Sequence, residues 1–425
     1  MITFQRLSIF VFFLSALAFT ACHAQSKGST SNKEILPGAY QLNQYLPLLK
    51  GKKIGVFANH TSMVGQTHLV DTLRKLGVNI TVIFGPEHGF RGTADAGEKV
   101  GNYTDAQTGL PVISLYGPKR RPSAEDLANV DILLFDIQDV GVRFYTFISS
   151  LEEFMEAAFV HEKPLLLLDR PNPNGFYVDG PVLEKPAYRS FVGMQPVPVV
   201  YGMTLGEYAQ MLIGEKWLSA EAIARYQAPK KDKAPADFDR FMVIPCQNYT
   251  HSSLYTLPVK PSPNLPDMAS IYWYPSTCFF EGTILSEGRG TKTPFQVFGH
   301  PSLPKELYSF TPVSMDGAKS PKLKDQLCYG WNLSGTPKDV LRKINEKLQL
   351  SYLLEAYRLF PDKAAFFLQP TSGKPTDYFF NKLAGNGQLI EQIKTEQSEA
   401  AIRASWEPAL SQFKTIRKKY LLYAE

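Results

Sequence analysis

"KKIGVFANHTSMVGQTHLVDTLRKLGVNITVIFG", Lys52 to Gly85, decides the fold. Its flanking runs, "IGVFA" and "ITVIF", are apolar without the alternation expected of a strand that keeps one face in water. Between them Leu69, Leu73 and Leu76 recur at helical spacing, and Gly77 follows as a stop. Strand, helix and strand of this kind make a parallel pair with the helix laid across it. The pattern continues downstream. "PVISLYG" reads as a third strand, "SAEDLANV" as a short helix capped by Ser123, and "DILLFDIQDVG" as a fourth strand. "FISSLEEFMEAAFVHEK" reads as a helix and "PLLLLDRPNP" as a fifth strand ended by prolines. Thr204 and Glu207 form a capping box ahead of "LGEYAQMLIGEKWL", and "FMVIPC" supplies one more strand. The expected fold is α/β, a Rossmann-like doubly wound sheet, mainly parallel, with a second, smaller α+β C-terminal domain. The expected boundaries are 1–24 for a signal peptide, 36–258 for the Rossmann-like catalytic domain and 259–425 for the domain that closes the cleft, entered through the proline-rich "LPVKPSPNLPD".

The remaining composition excludes several classes. The chain has 425 residues and a formal charge of +5 from 45 basic and 40 acidic residues, too evenly mixed for a nucleic-acid footprint. No G-x-G-x-x-G turn follows the first strand, so a dinucleotide is not expected. No G-x-S-x-G elbow is present. Residues 1–25 carry one Arg, an apolar run from Leu7 to Thr20 and then small residues, which reads as a secretory signal too short to span a bilayer. Two processing readings stay open: lipid anchorage at Cys22 after "FTA", or ordinary cleavage ahead of Gln25. The chain is expected in the periplasm or cell envelope, touching a membrane only through such an anchor. Cys246, Cys278 and Cys328 stand in no metal or redox spacing and read as buried apolar residues.

Polar chemistry gathers at the strand ends. In an open parallel sheet these ends share one edge, where ligands bind. The candidates are Asn59 and His60; Glu87, His88 and Arg91; Asp136, Asp139, Arg143 and Tyr145; Arg170 and Asn172. A metal is disfavoured because adjacent Glu87 and His88 point to opposite sides of an extended segment and no H-x-x-x-H or H-x-H pair exists. Paired carboxylates fit glycosidic cleavage, which needs an acid for the leaving oxygen and a second group at the oxocarbenium centre. Glu87, flanked by Phe84 and Phe90, suits the acid; Asp136, Asp139, Glu281 or Glu287 could supply the partner. "EGTILSEGRGT" sets Glu281, Glu287 and Arg289 among glycines that permit close backbone approach. Tyr145, Tyr272, Trp273 and Tyr274 offer faces for a sugar ring.

"FGPEHGFRG", "DIQDVGVRFYTF", "LDRPNP", "PSPNLP" and "FEGTILSEGRGT", in that order, resemble the exo-β-N-acetylmuramidase (NamZ-type) family. The resemblance implies an exo-acting glycosidase that releases N-acetylmuramic acid from non-reducing ends of peptidoglycan fragments, in cell-wall turnover or recycling, without a cofactor. It points to Glu87 as the leading catalytic carboxylate and carries over Glu281, Glu287, His88 and Arg91 as residues of matching motifs; Asn264 is a further substrate-binding candidate. The stretch "QNYTHSSLYTLPVK" departs from the family pattern of a Trp and a basic residue, which bears on one wall of the pocket. A lactyl carboxylate on the sugar calls for a cation, and Arg91, Arg143, Arg170 and Arg289 are candidates. Two other readings stand beside this one: a non-catalytic muropeptide-binding lipoprotein, and a metal-dependent hydrolase of a cell-wall ester or amide.

Overall fold

Apolar residues on both faces of every central strand force cover on both sides, and the computed structural model has this layout. It describes residues 33–87, 89–92, 101–229 and 238–425. His88 and the leader with Cys22 lie outside the described residues. Seven strands form the main sheet: β1 (Lys53–Ala58), β2 (Asn79–Gly85), β3 (Tyr103–Thr104), β4 (Pro111–Ser114), β5 (Ile132–Asp136), β6 (Leu165–Leu168) and β7 (Phe241–Ile244). Their order is β3-β4-β2-β1-β5-β6-β7, parallel except for β3 at the edge. Without β3 this is the Rossmann order, with the topological switch between β1 and β5.

Alternate residues of the strands feed two cores. Phe57, Phe84, Phe135, Leu165 and Leu167 pack with α3 (Phe147–Val160), α4 (Leu205–Gly214) and α5 (Ala220–Gln227). Ile54, Val56, Ile83, Leu134 and Leu166 pack on the opposite face with α1 (Leu42–Leu49) and α2 (Leu69–Lys75). Pairing places Phe57 beside both Phe84 and Phe135, and Phe57 stacks on Phe135 at 4.6 Å. The Thr204–Glu207 capping box opens α4 as expected. "SAEDLANV" departs from expectation: Ser123 makes the expected cap with Asp126, but after the Leu127 N–H to Ser123 bond the backbone bonds span only three residues, from Ala128 to Glu125 and Val130 to Leu127, so residues 124–129 are turns that lead into β5.

Beyond residue 258, α6 (Met268–Thr277) follows an Asp267–Ser270 capping box, and a 3₁₀ turn spans Cys278–Gly282. Strands β8 (Val297–His300), β9 (Tyr308–Phe310) and β10 (Cys328–Asn332) form an antiparallel sheet in the order β8-β10-β9. Helices α7 (Pro337–Ile344), α8 (Ser351–Leu359), α9 (Phe379–Ala384), α10 (Gln388–Lys394) and α11 (Glu399–Arg417) complete the chain. One core cluster joins Val140, Phe144 and Val199 to α6 and the C-terminal helices, so residues on both sides of 258 share an interior. The last residues return to the Rossmann-like part. Arg417 donates to the Gly202 carbonyl (2.8 Å) and Leu422 N–H to Glu207 (2.8 Å). The Tyr423 hydroxyl donates to Asp169 (2.6 Å) and accepts from Cys246 N–H (2.8 Å). Cys246, Cys278 and Cys328 are buried thiols. No described helix is long and apolar enough to cross a membrane.

Candidate active site

Strand-end loops bring polar residues to one edge, but most of them satisfy one another. Asn59 accepts from Thr61 N–H and hydroxyl (2.9 and 2.6 Å), while Thr61 and Ser62 tie this turn to Gln138 N–H and the Asp136 carbonyl. The crevice at the switch between β1 and β5 is thereby stitched with internal hydrogen bonds. Asp136 is fully buried and grips Arg170 through both oxygens (2.6 and 2.8 Å). This corrects the expectation of catalysis by Asp136 and of substrate binding by Arg170: the two buried charges are spent on each other, and neither is among the residues of the cavity that holds Glu87. Arg91 is likewise held by Asp105 (3.0 and 2.9 Å) with Asp71 nearby at 3.5 Å, so it too is structural. Asn172 accepts from Asn174 N–H and donates to the Met203 carbonyl, shaping its own turn. His60 meets the Lys260 carbonyl at 3.0 Å and packs against Gly92, and is not among the residues lining the cavity described below.

Arg143 is the most instructive departure. It is wholly buried and donates to three carbonyls, Pro181 (2.9 Å), Val197 (2.7 Å) and Leu383 (2.7 Å), which ties the Rossmann-like part to α9. Burial without a carboxylate lowers its pKa to about 9. Asp139 accepts from Gly141 N–H (2.6 Å) and from the Tyr201 hydroxyl, and burial pushes it up to about 6. It is not among the cavity-lining residues, although its charge reaches Tyr145, which is.

Glu87, Tyr145, Asn264, Glu281 and Arg289 do come together. They line one cavity of about 380 Å³. Glu87 enters from the turn after β2, where Gly89 N–H bonds the Pro86 carbonyl. Tyr116, from the loop after β4, is hydrogen-bonded to Glu87; burial and that charge push its phenol up. Tyr145 lies in the 3₁₀ turn Arg143–Tyr145, its hydroxyl donating to the Pro261 carbonyl (2.7 Å). Asn264 donates to Gly317 (2.8 Å). Ser262 and Leu265 also line the cavity, so the loop that departs from the family pattern runs directly into one of its walls.

Across the cavity, positive φ at Gly288 and Gly290 (83° and 79°) turns the chain sharply on both sides of Arg289. Its guanidinium reaches Glu281 (2.5 Å) and Glu287 (3.2 Å), and lies 5.0 Å over the Phe295 ring. Lys322 meets Glu287 at 2.9 Å. Burial raises Glu281 against the pull of Arg289, with the Glu287 charge adding to the rise; Glu287, also buried, is held down by Lys322 and Arg289. Glu287 thus serves the ion cluster, and Glu281 presents a partly exposed carboxylate to the cavity.

Aromatic rings finish the walls: Phe144, Phe191, Tyr274, Phe295 and Phe379. Tyr272 and Trp273 are core residues instead. Two lining residues, Thr146 and Phe295, hold φ at 73° and 61°, a conformation disfavoured for β-branched and bulky side chains. Such strain persists where the surroundings over-determine it, often at working sites. Sequence reading missed Tyr116, Arg120, Thr146, Phe191 and Phe295; only long-range packing brings them here. Among the described residues no group of three or more His, Cys, Asp or Glu is arranged to hold a metal ion.

With this geometry, comparison with known proteins is direct. Residues 54–269 match the model of the exo-β-N-acetylmuramidase NamZ N-terminal domain, and residues 272–423 that of its C-terminal domain. The peptidoglycan β-N-acetylmuramidase NamZ of Bacillus subtilis (strain 168) is 38% identical over 449 residues, covering 99% of this chain and 100% of that one. Two crystal structures of DUF1343 family proteins from Bacteroides fragilis NCTC 9343 each cover 92% of this chain and 99% of their own. They superpose with TM-scores of 0.79 and 0.70 at 43% and 26% identity.

Proposed function

The chain belongs to the NamZ family of exo-β-N-acetylmuramidases, and from that premise we propose that Glu87 and Glu281 carry its reaction across the aromatic-walled cavity. The enzyme is a glycoside hydrolase that releases terminal β-linked N-acetylmuramic acid from the non-reducing ends of peptidoglycan fragments. The observation that carries the catalytic assignment is that these two carboxylates, from segments nearly 200 positions apart, line one small cavity while Asp136 and Glu287 are consumed by ion pairs. At about 380 Å³ the cavity is at the small end of ligand sites, about 300–1,000 Å³. That size suits one substituted sugar rather than a glycan chain, as exo action requires.

Glu87 gives its carboxyl proton to the glycosidic oxygen as the bond from C1 to that oxygen breaks. Glu281 sets its carboxylate towards the positive charge growing at C1 and the ring oxygen. Water supplies the new hydroxyl at C1, and its proton restores the acid. Arg289 fixes Glu281 in place, and Tyr116 orients Glu87. The test is turnover of a chromogenic β-N-acetylmuramide by Glu87→Gln: a rate near wild type removes Glu87 from the mechanism.

We also infer, from the leader sequence, that the enzyme works in the cell envelope, in wall turnover or recycling, as a soluble periplasmic protein or anchored at Cys22. Fractionation of cells expressing the wild type and Cys22→Ser distinguishes the two forms.

A further inference from the structure

The loop after β4 reads "GPKRRP", with three basic residues in succession. The outer two are neutralised: Lys119 pairs with Asp126 (2.5 Å) and Arg121 with Glu153 (2.6 Å). Arg120, between them, lines the cavity with its guanidinium 3.6 Å over the centre of the Phe191 ring. Its Nη1 is buried and makes no hydrogen bond. Among the described residues no carboxylate pairs with it.

Every cation that sequence reading offered for an anionic substituent is occupied. Arg91 is held by Asp105, Arg170 by Asp136, Arg143 by three carbonyls and Arg289 by Glu281 and Glu287. A buried guanidinium nitrogen without an acceptor is costly and is normally satisfied. Stacking on an aromatic ring leaves the planar fork open along its edge, which suits two-point capture of a carboxylate. Arg120 also shares a wall with Glu87, the acid of the proposed reaction: both line the cavity with Tyr116, whose phenol feels both charges.

We propose that Arg120 reads the lactyl carboxylate of the terminal sugar, the group that distinguishes N-acetylmuramic acid from N-acetylglucosamine, and so sets the specificity of the site. This rests on the muramidase reading of the cavity. Phe191 holds the guanidinium plane and the substrate supplies the acceptor that Nη1 lacks.

Calorimetric titration of wild type, Arg120→Gln and Arg120→Lys with N-acetylmuramic acid, its lactyl methyl ester and N-acetylglucosamine tests this without turnover. Wild type is expected to bind the acid about 10- to 100-fold more tightly than the ester. Arg120→Gln should lower the acid to the level of the ester while leaving ester affinity within about twofold, and Arg120→Lys should keep part of the preference. Equal weakening of all three ligands in Arg120→Gln, a preference that survives it, or no preference in wild type would overturn the proposal. Turnover of the chromogenic muramide, measured alongside, reports separately on the catalytic reading. Arg120-dependent discrimination without turnover keeps this inference and sinks that one.

Discussion

Replacing Arg289 by Met removes the cation from Glu281 and Glu287 while keeping a flexible apolar side chain against Phe295. Two opposite charges about 4 Å apart attract by about 4 kcal/mol at an effective dielectric of about 20. Side-chain exposures of 22% for Arg289 and 16% for Glu281 admit some water, which trims the loss. About 1.5–3 kcal/mol of preference for ionised Glu281 should disappear, equal to about one to two pH units. If Glu281 acts as a carboxylate, activity falls as pH drops through its pKa, so Arg289→Met moves the acidic limb of the kcat/KM profile upward by that amount. Glu287→Gln removes a like charge that raises Glu281, and should move the same limb downward. The assay is a pH–rate profile on a chromogenic β-muramide, with the melting temperature followed at each pH. Coincident acidic limbs in wild type and both variants, on correctly folded protein, would refute the assignment of Glu281.

Glu87→Gln should lose about 10²- to 10⁴-fold on a natural muramyl disaccharide, and less on a nitrophenyl muramide, whose leaving group needs little protonation; parallel kinetics on the two substrates check this. Arg143→Ala strips donors from three buried carbonyls and should destabilise by about 3–5 kcal/mol, read as a lower urea midpoint. Asp139 releases its proton at 3.8 when unfolded and at about 6 when folded, so its protonated-state stabilisation is full below 3.8 and is lost as pH rises through 6. Asp139→Asn should therefore gain about 2 kcal/mol on wild type between pH 4.5 and 7, seen as a difference in urea midpoints at the two pH values.

The fold was legible because strand and helix periods are local. The apolar runs of β1, β2, β5 and β6, and the capping box of α4, need no distant partner to be recognised. Even the shared edge followed, since parallel strands must deliver their ends together. Which of the gathered side chains face substrate did not follow. Asp136 and Arg170 look as reactive in sequence as Glu87, yet they lie 34 positions apart and cancel each other. Arg120 sits in an undistinguished basic triplet whose neighbours find the carboxylates of Asp126 and Glu153, and only three-dimensional pairing shows which cation is left over.

The return of the chain terminus has a consequence for dissection. Asp169 at the end of β6 receives the Tyr423 hydroxyl from 254 positions away, and Glu207 at the start of α4 receives the backbone N–H groups of Leu422 and Tyr423. A fragment cut near residue 258 would keep both buried carboxylates but lose these C-terminal donors, leaving Asp169 with Thr204 and Gly206 and Glu207 with Thr204 and His251. The Rossmann-like half therefore should not ripen into its native form ahead of the remainder, and a truncated version carrying only the Glu87 loop is a poor vehicle for studying the chemistry.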